Sequence, residues 1–391
     1  MQHILVPAIR SLKVRLLLIL FLSLLCTGCS LFGDDAGKSA QQKRSGGVSK
    51  STSSAILLGA QACPDAVKDP TIWNGFVPLN SGQSIERVLC GNLLGISALQ
   101  AVVLVRHTGS DRVLDIFVYS NITTAHATAI FSLKGLLHGD AKISGYNTLL
   151  TAQEDPNSLY NKGQAKQWTA DLYREYKWSD AKGALIQVAF SGIFPDLTRY
   201  QAEFEQSQVN NAQGFQQWRL SVVTTTQHFC EKLLKWPSDI PVTVVSGGGI
   251  HDIHAVVQVK QSSSRLVTIK LDRLERNANG GLWEVIDAQT DKFALSVPQN
   301  EQPLTSPVTI TGHGGGETIG TVHVLDHLYS EGGQSEAWGA SATGDGSFSK
   351  SVPYTLSFQG GVQEGLIMLS VSNASDHTVI GMVLAKVLLS A

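Results

Sequence analysis

Charge is scarce in this 391-residue chain: Asp, Glu, Lys and Arg make up 16% of it, and the two signs nearly cancel at a formal −2. So balanced a chain gives no electrostatic case for nucleic acid as a partner, which needs a basic face. Cysteine is sparse too, and beyond Cys29 no C-x-x-C or Cys/His zinc spacing occurs, which argues against a structural zinc site. There is no G-x-S-x-G elbow, no H-E-x-x-H helix and no G-x-G-x-x-G loop. Those absences remove the readily recognised hydrolase, zinc-peptidase and dinucleotide readings. No repeated βαβ pattern appears either, which argues against a two-lobed transporter subunit. No cofactor is implied.

What is present begins with Leu16–Leu25, an apolar run preceded by Arg10, Lys13 and Arg15 and followed by Cys26-Thr27-Gly28-Cys29. A basic start, a short apolar core and small residues before a cysteine describe an export signal. Gly28-Cys29 resembles a bacterial lipobox, although Cys26 stands where leucine is usual. That resemblance implies lipid on Cys29, loss of residues 1–28, and an address on the outer face of the bacterial cell membrane. The rival is an uncleaved anchor, for which the run is short because a span needs about 20 residues. Residues 1–28 hold three basic and no acidic side chains, so their loss takes the formal charge from −2 to −5.

Residues 29–58 read as a flexible tether, since 30–54 hold Gly, Ser, Lys, Gln and Asp with hardly an apolar side chain. On the oxidising side of a membrane, Cys63 and Cys90 are read as a disulfide, with two buried thiols as the alternative. Cys230 sits in an apolar helical pattern and reads as core.

The fold class expected is multidomain, with α+β N-terminal and central modules followed by an all-β sandwich. Residues 59–194 read as the first module. It has strands at Ala101–Arg106, Val113–Tyr119 and Leu185–Phe190, and short helices near Pro64–Lys68 and Ser84–Leu89. Residues 195–296 read as a helical region, interrupted at Asn210–Gly214 and closed by Pro237, then strands at His254–Val259, Leu266–Leu271 and Gly281–Ala288. In outline this resembles the helix-on-sheet module of nuclear-transport-factor-like and cystatin-like domains. From 297 to 391, Val308/Ile310, Val322/Val324 and Val352/Tyr354/Leu356 alternate with polar or small residues, the period of a half-buried strand.

Ser306-Pro307-Val308-Thr309-Ile310-Thr311-Gly312 matches the S-P-x-x-(apolar)-x-G opening of the immunoglobulin-like domain of bacterial spore germination proteins, which residues 297–391 therefore resemble. Gly346-Ser347-Phe348 and Gly365-Leu366-Ile367 fall where that family places its middle and late strands. The resemblance implies an immunoglobulin-like sandwich used for presentation or adhesion, marked by Ser306, Pro307 and Gly312. The Phe-Glu pair common in the family is absent near Glu317–Gly320, and its companion germination domain is not recognisable upstream.

Four other groupings were weighed. Ser347-Phe348-Ser349-Lys350 fits S-x-x-K but lies in a strand pattern, where residues three apart face opposite ways, and it lacks S-D-N and K-T-G partners. His251 and His254 could share a metal if a turn converged them, but read as a polar loop. His323 and His327 read as a solvated strand face. Asp171, Glu175 and Asp180 among Tyr173, Tyr176 and Trp178 read as a solvated helix face over aromatic core. A carboxylate pair for sugar chemistry is the alternative there, one that needs a measured separation.

The expectation is thus a non-enzymatic lipoprotein held to the membrane by its N-terminal lipid. It would bind or assemble an envelope protein or cell-wall partner, with a link to sporulation or germination implied by the resemblance alone. The alternative is a glycan-binding protein or hydrolase with its site in residues 60–295.

Overall fold

The computed structural model describes residues 57–123, 126–156, 170–211, 216–261, 265–275, 280–314, 318–339, 346–358 and 361–391. Cys29 and the tether up to residue 56 lie outside them. The chain enters through β1 (Ala60–Gln61), α1 (Asp65–Lys68) and a 3-10 turn (Pro70–Gly75). Asp69 caps that turn by accepting from the Thr71 N–H at 2.9 Å, with Pro70 at its first position. Strands β2 (Gln83–Gly91), β3 (Gln100–His107), β4 (Leu114–Ser120) and β5 (Thr128–Leu136) then add in sequence order to β1, all antiparallel.

A second antiparallel sheet follows: β6 (Asp140–Ile143), β7 (Leu149–Gln153), β8 (Leu172–Ser179) and β9 (Ala184–Val188). Val102, Leu104, Ile116 and Val118 face it through one core. Ala101, Val103, Val105 and Phe117 face Val67, Trp73 and Val77 through another. Burial on both faces is why β3 and β4 are nearly continuous apolar runs rather than alternating ones. The Cys63–Cys90 disulfide closes the loop that carries Trp73 over this sheet.

Two helix readings are corrected here. Ser84–Leu89 belongs to β2: a bulge at Glu86, between the Ile85/Val105 and Arg87/Leu104 pairs, shifts the side-chain phase by one. That shift gives Ile85 and Val88 a helix-like spacing. Asp171–Trp178 is not a solvated helix face but runs into β8, whose Tyr and Trp residues suit a pleated, half-buried surface. Among its described residues, the stretch read as α+β is therefore two sheets with one short helix and one 3-10 turn.

Helices come next: α2 (Arg199–Asn210), a 3-10 turn (Gln217–Leu220), and α3 (Val222–Phe229) continued by a π-turn (Cys230–Leu234). Most of the expected break at Asn210–Gly214, residues 212–214, is outside the described residues. Strands β10 (Val242–Gly247), β11 (His254–Val259), β12 (Val267–Asp272), β13 (Glu284–Thr290), β14 (Ala294–Val297), β15 (Gln302–Leu304), β16 (Val308–His313), β17 (Thr318–Leu325), β18 (Glu331–Trp338), β19 (Phe348–Val352), β20 (Val362–Asn373) and β21 (Val379–Ser390) complete the fold. One large sheet runs β10-β11-β12-β13-β21-β20-β17-β18, with β15 beside β21, and β14-β16-β19 form a small one.

β20 and β21 serve two cores. Leu366, Met368, Met382 and Leu384 face α3, Phe229 and Trp283, whereas Ile367, Leu369, Val383 and Ala385 face Ile310, Phe348 and Val352 of the small sheet. The expected boundary at 296/297 is thus crossed by a single sheet, and its two sides share strands. The whole is largely β and mostly antiparallel, with all described residues in one compact unit.

Candidate functional site

The predicted positions distribute as follows. Cys63 and Cys90 are bonded, and Cys230 is buried among Phe229, Leu233 and Trp236 with its thiol pushed up to about 12 by burial. Ser306 stitches the small sheet: its Oγ donates to the Tyr354 carbonyl at 2.9 Å and accepts from the Tyr354 N–H at 2.9 Å. Gly312 on β16 lets backbones meet, since a Cβ there would lie 2.3 Å from the Ala294 oxygen. Pro307 leads into β16 directly after Ser306. These three residues build the sheet rather than present chemistry.

Lys350 lies on β19. His254 starts β11 and meets Asp272 through Nδ1 at 2.7 Å, while His251 sits in the preceding loop. His323 contacts Ser370 and Glu331 on the sheet face, but His327 corrects the solvated reading. It is buried beyond the end of β17 beside Phe358, and burial lowers its pKa.

The three carboxylates are not arrayed over a sugar platform. The buried Glu175 accepts from Thr148 Oγ1 at 2.7 Å and Arg199 Nε at 2.8 Å, Asp171 receives the Asp155 N–H at 2.6 Å, and Asp180 accepts from Trp178 Nε1 at 2.9 Å. Tyr173 is spent stacking on Tyr200 at 4.9 Å.

Arg199 also donates to Glu275 at 2.9 Å, and burial raises the Glu275 carboxyl to about 7 against that pull. The folded chain keeps this proton where an unfolded glutamate, near 4.3, has lost it. The stability that Glu275 contributes is therefore full below the unfolded value and is lost as pH rises toward about 7. Thermal scans across that window should show Tm falling with pH, and Glu275→Gln should flatten the slope; an unchanged slope would remove Glu275 as its cause.

What the sequence reading missed is an open edge. β10 ends the large sheet, pairs only with β11 among the described strands, and carries no charged residue. Val242 and Val244 pair with Val259 and Val257 and so extend the core-facing side of the sheet outward, and Val245 is the extra residue of a bulge. Val244 is 42% and Val245 54% exposed. Gly247 makes the hairpin possible: it has φ +64°, and a Cβ there would lie 2.0 Å from the His254 oxygen.

The hairpin tip is held firmly. Arg273 donates through Nε to the Asp252 carbonyl at 2.9 Å and through a terminal nitrogen to the Gly249 carbonyl at 3.4 Å. A third donation goes to Gly281, and the guanidinium lies 4.3 Å from the Trp283 ring, over buried apolar surface. Asp252 in turn accepts from the Gly249 N–H at 2.7 Å. This frame displays Ile250, 67% exposed, and Ile253 beside the strand edge. Physically it is an apolar sheet margin that no other described strand pairs with, held in place beforehand. A β-branched run between Pro241 and Gly247 was the available signal.

A cleft of about 430 Å³ beside the disulfide is lined by Gln61, Asp65, Lys68 and Val88, where Asp65 and Lys68 neutralise one another at 2.6 Å. No family model, curated protein or solved structure matches this chain.

Proposed function

We propose that this chain is a lipid-anchored, extracytoplasmic and non-enzymatic protein of the bacterial cell envelope. It captures an extended, weakly charged segment of an envelope protein as an added strand on β10. The observation carrying this reading is the uncharged outer edge of β10 with Val244, Val245, Ile250 and Ile253 exposed along it. Edge strands are normally blunted by charge or cover, and one left open and apolar is a template for strand addition. Main-chain bonds would supply affinity, and the valine and isoleucine side chains would select an apolar partner face.

Support for the address comes from the export signal and Gly28-Cys29. We read the two-sheet C-terminal unit as immunoglobulin-like, of the kind found in spore germination proteins, from its opening motif at β16 and its facing sheets. In this reading that unit is a rigid mount, because its central strands also carry the sheet that ends in β10.

The test places a photoreactive amino acid at Val245 in cells, with Lys134 on the β5 edge as the control position. One recurrent envelope protein, cross-linked through an extended segment at 245 and not at 134, is the expected result, and Thr243→Lys should abolish it. Equal capture from both positions, capture of wall glycan alone, or no capture overturns the proposal. Deleting residues 297–391 would be a poor substitute, since it removes β20 and β21 from both cores.

A further inference from the structure

One buried pair has chemistry that structural support does not exhaust. Glu364 on β20 and Lys386 on β21 are diagonal neighbours, since Glu364 pairs with Leu388 and Leu366 with Lys386. Both side chains are almost wholly buried, and Lys386 Nζ lies 2.9 Å from Glu364 Oε2. Two further acceptors fix Nζ, the Gly192 carbonyl at 2.7 Å and the Leu197 carbonyl at 2.5 Å. The Phe190 N–H donates to Glu364 Oε2 at 2.9 Å, while buried Oε1 has no hydrogen-bond partner among the described residues.

We propose that Lys386 and Glu364 condense within the folded chain to an amide that joins β20 to β21. Transfer of one Nζ proton to Glu364 Oε2, the oxygen that Nζ faces at 2.9 Å, leaves a neutral amine whose two remaining N–H bonds are held by Gly192 and Leu197. Attack of its lone pair on Cδ forms the C–N bond and moves the carbonyl electron pair onto Oε1. A second proton passes from Nζ to Oε2, the Cδ–Oε2 bond breaks, one water leaves, and Oε1 becomes the amide oxygen. No atom changes oxidation state, so no external reagent is needed.

Burial favours the neutral starting pair, raising Glu364 to about 7 and lowering Lys386. Condensation leaves a neutral amide in place of two ionisable groups, so neither charge has to be buried. One of the Gly192 and Leu197 carbonyls loses its donor in exchange. Proximity held by a closed core is the kind of positioning that turns a slow bimolecular reaction into a feasible unimolecular one.

The sequence makes the test clean, because no Lys or Arg lies between Ser351 and Lys386. Trypsin digestion of the full-length, denatured and reduced protein separates residues 351–386 from 387–391 if Lys386 is a free amine. The cross-link blocks that cut, and the expected product is a peptide 351–391 lighter by one water, with the loss mapped between residues 364 and 386. Complete cleavage after Lys386 with an unmodified mass overturns the proposal. Lys386→Arg should give full mass and normal cleavage; a persisting water deficit in that variant would place the dehydration elsewhere and overturn it as well.

Discussion

Replacing Arg219 with methionine should cost about 3–5 kcal/mol of folding stability, the penalty for orphaning buried charge. The Arg219 side chain is fully buried, 2.7 Å from Asp196 Oδ2 and also bonded to Glu284. Complete burial pushes the Glu284 carboxyl above its ordinary range even with the guanidinium beside it. Without the cation, a fully buried Glu284 carboxyl and a largely buried Asp196 carboxyl remain side by side. The main-chain bond from the Trp283 N–H to the carbonyl of residue 219, at 2.9 Å, is kept by methionine, so the loss isolates the side-chain charge. Chemical denaturation measures the loss. Adding Asp196→Asn and Glu284→Gln to the variant should recover part of it, because the orphaned charges are then gone. A loss under about 1 kcal/mol in the single variant would mean that water or a rearranged partner reaches the site.

Cys63→Ser should cost about 3–4 kcal/mol, and only under oxidising conditions, on the chain-entropy account of a cross-link. The bond spans a sequence separation of 27 and closes the excursion that carries Trp73. Trp73 is buried, donates to the Val67 carbonyl at 2.8 Å and packs 5.0 Å from Tyr119, whose hydroxyl donates to Phe76 at 2.9 Å. Opening the bond frees this cap from the sheet face formed by Val103, Val105 and Phe117. Thermal unfolding with and without reductant distinguishes the causes. Equal destabilisation of the variant in reductant would show that serine harms packing rather than chain restraint.

How far the fold was legible depended on how many faces each strand buries. β16 and β17 each cover one core, so Val308/Ile310 and Val322/Val324 betray them by alternation. The Cys63–Cys90 pairing was readable from compartment and position. β20 and β21 are apolar on both faces, and their sequences announce strands without saying that they join two cores. β2 was disguised by its bulge at Glu86, and His327 by the assumption that β17 continued past Leu325.

The candidate edge was the least visible feature. Val242–Ser246 lacks alternation because Val245 bulges and one flank has no partner among the described strands. Its neighbours matter as much as its own residues: Arg273, Trp283 and Asp252 frame the hairpin tip from separate parts of the chain, and no local pattern links them.

The place of β21 sets an order of events during synthesis. It follows every other described strand in the chain, yet it lies between β13 and β20 in the large sheet. A chain emerging N-terminus first can close the sheets of β2–β9 early, since their pairings are local. Neither the core under α3 nor the one behind the small sheet has its central strand until residues 379–390 arrive. The β10 edge therefore acquires its rigid backing last, once residues 379–390 have left the ribosome and locked the sheet.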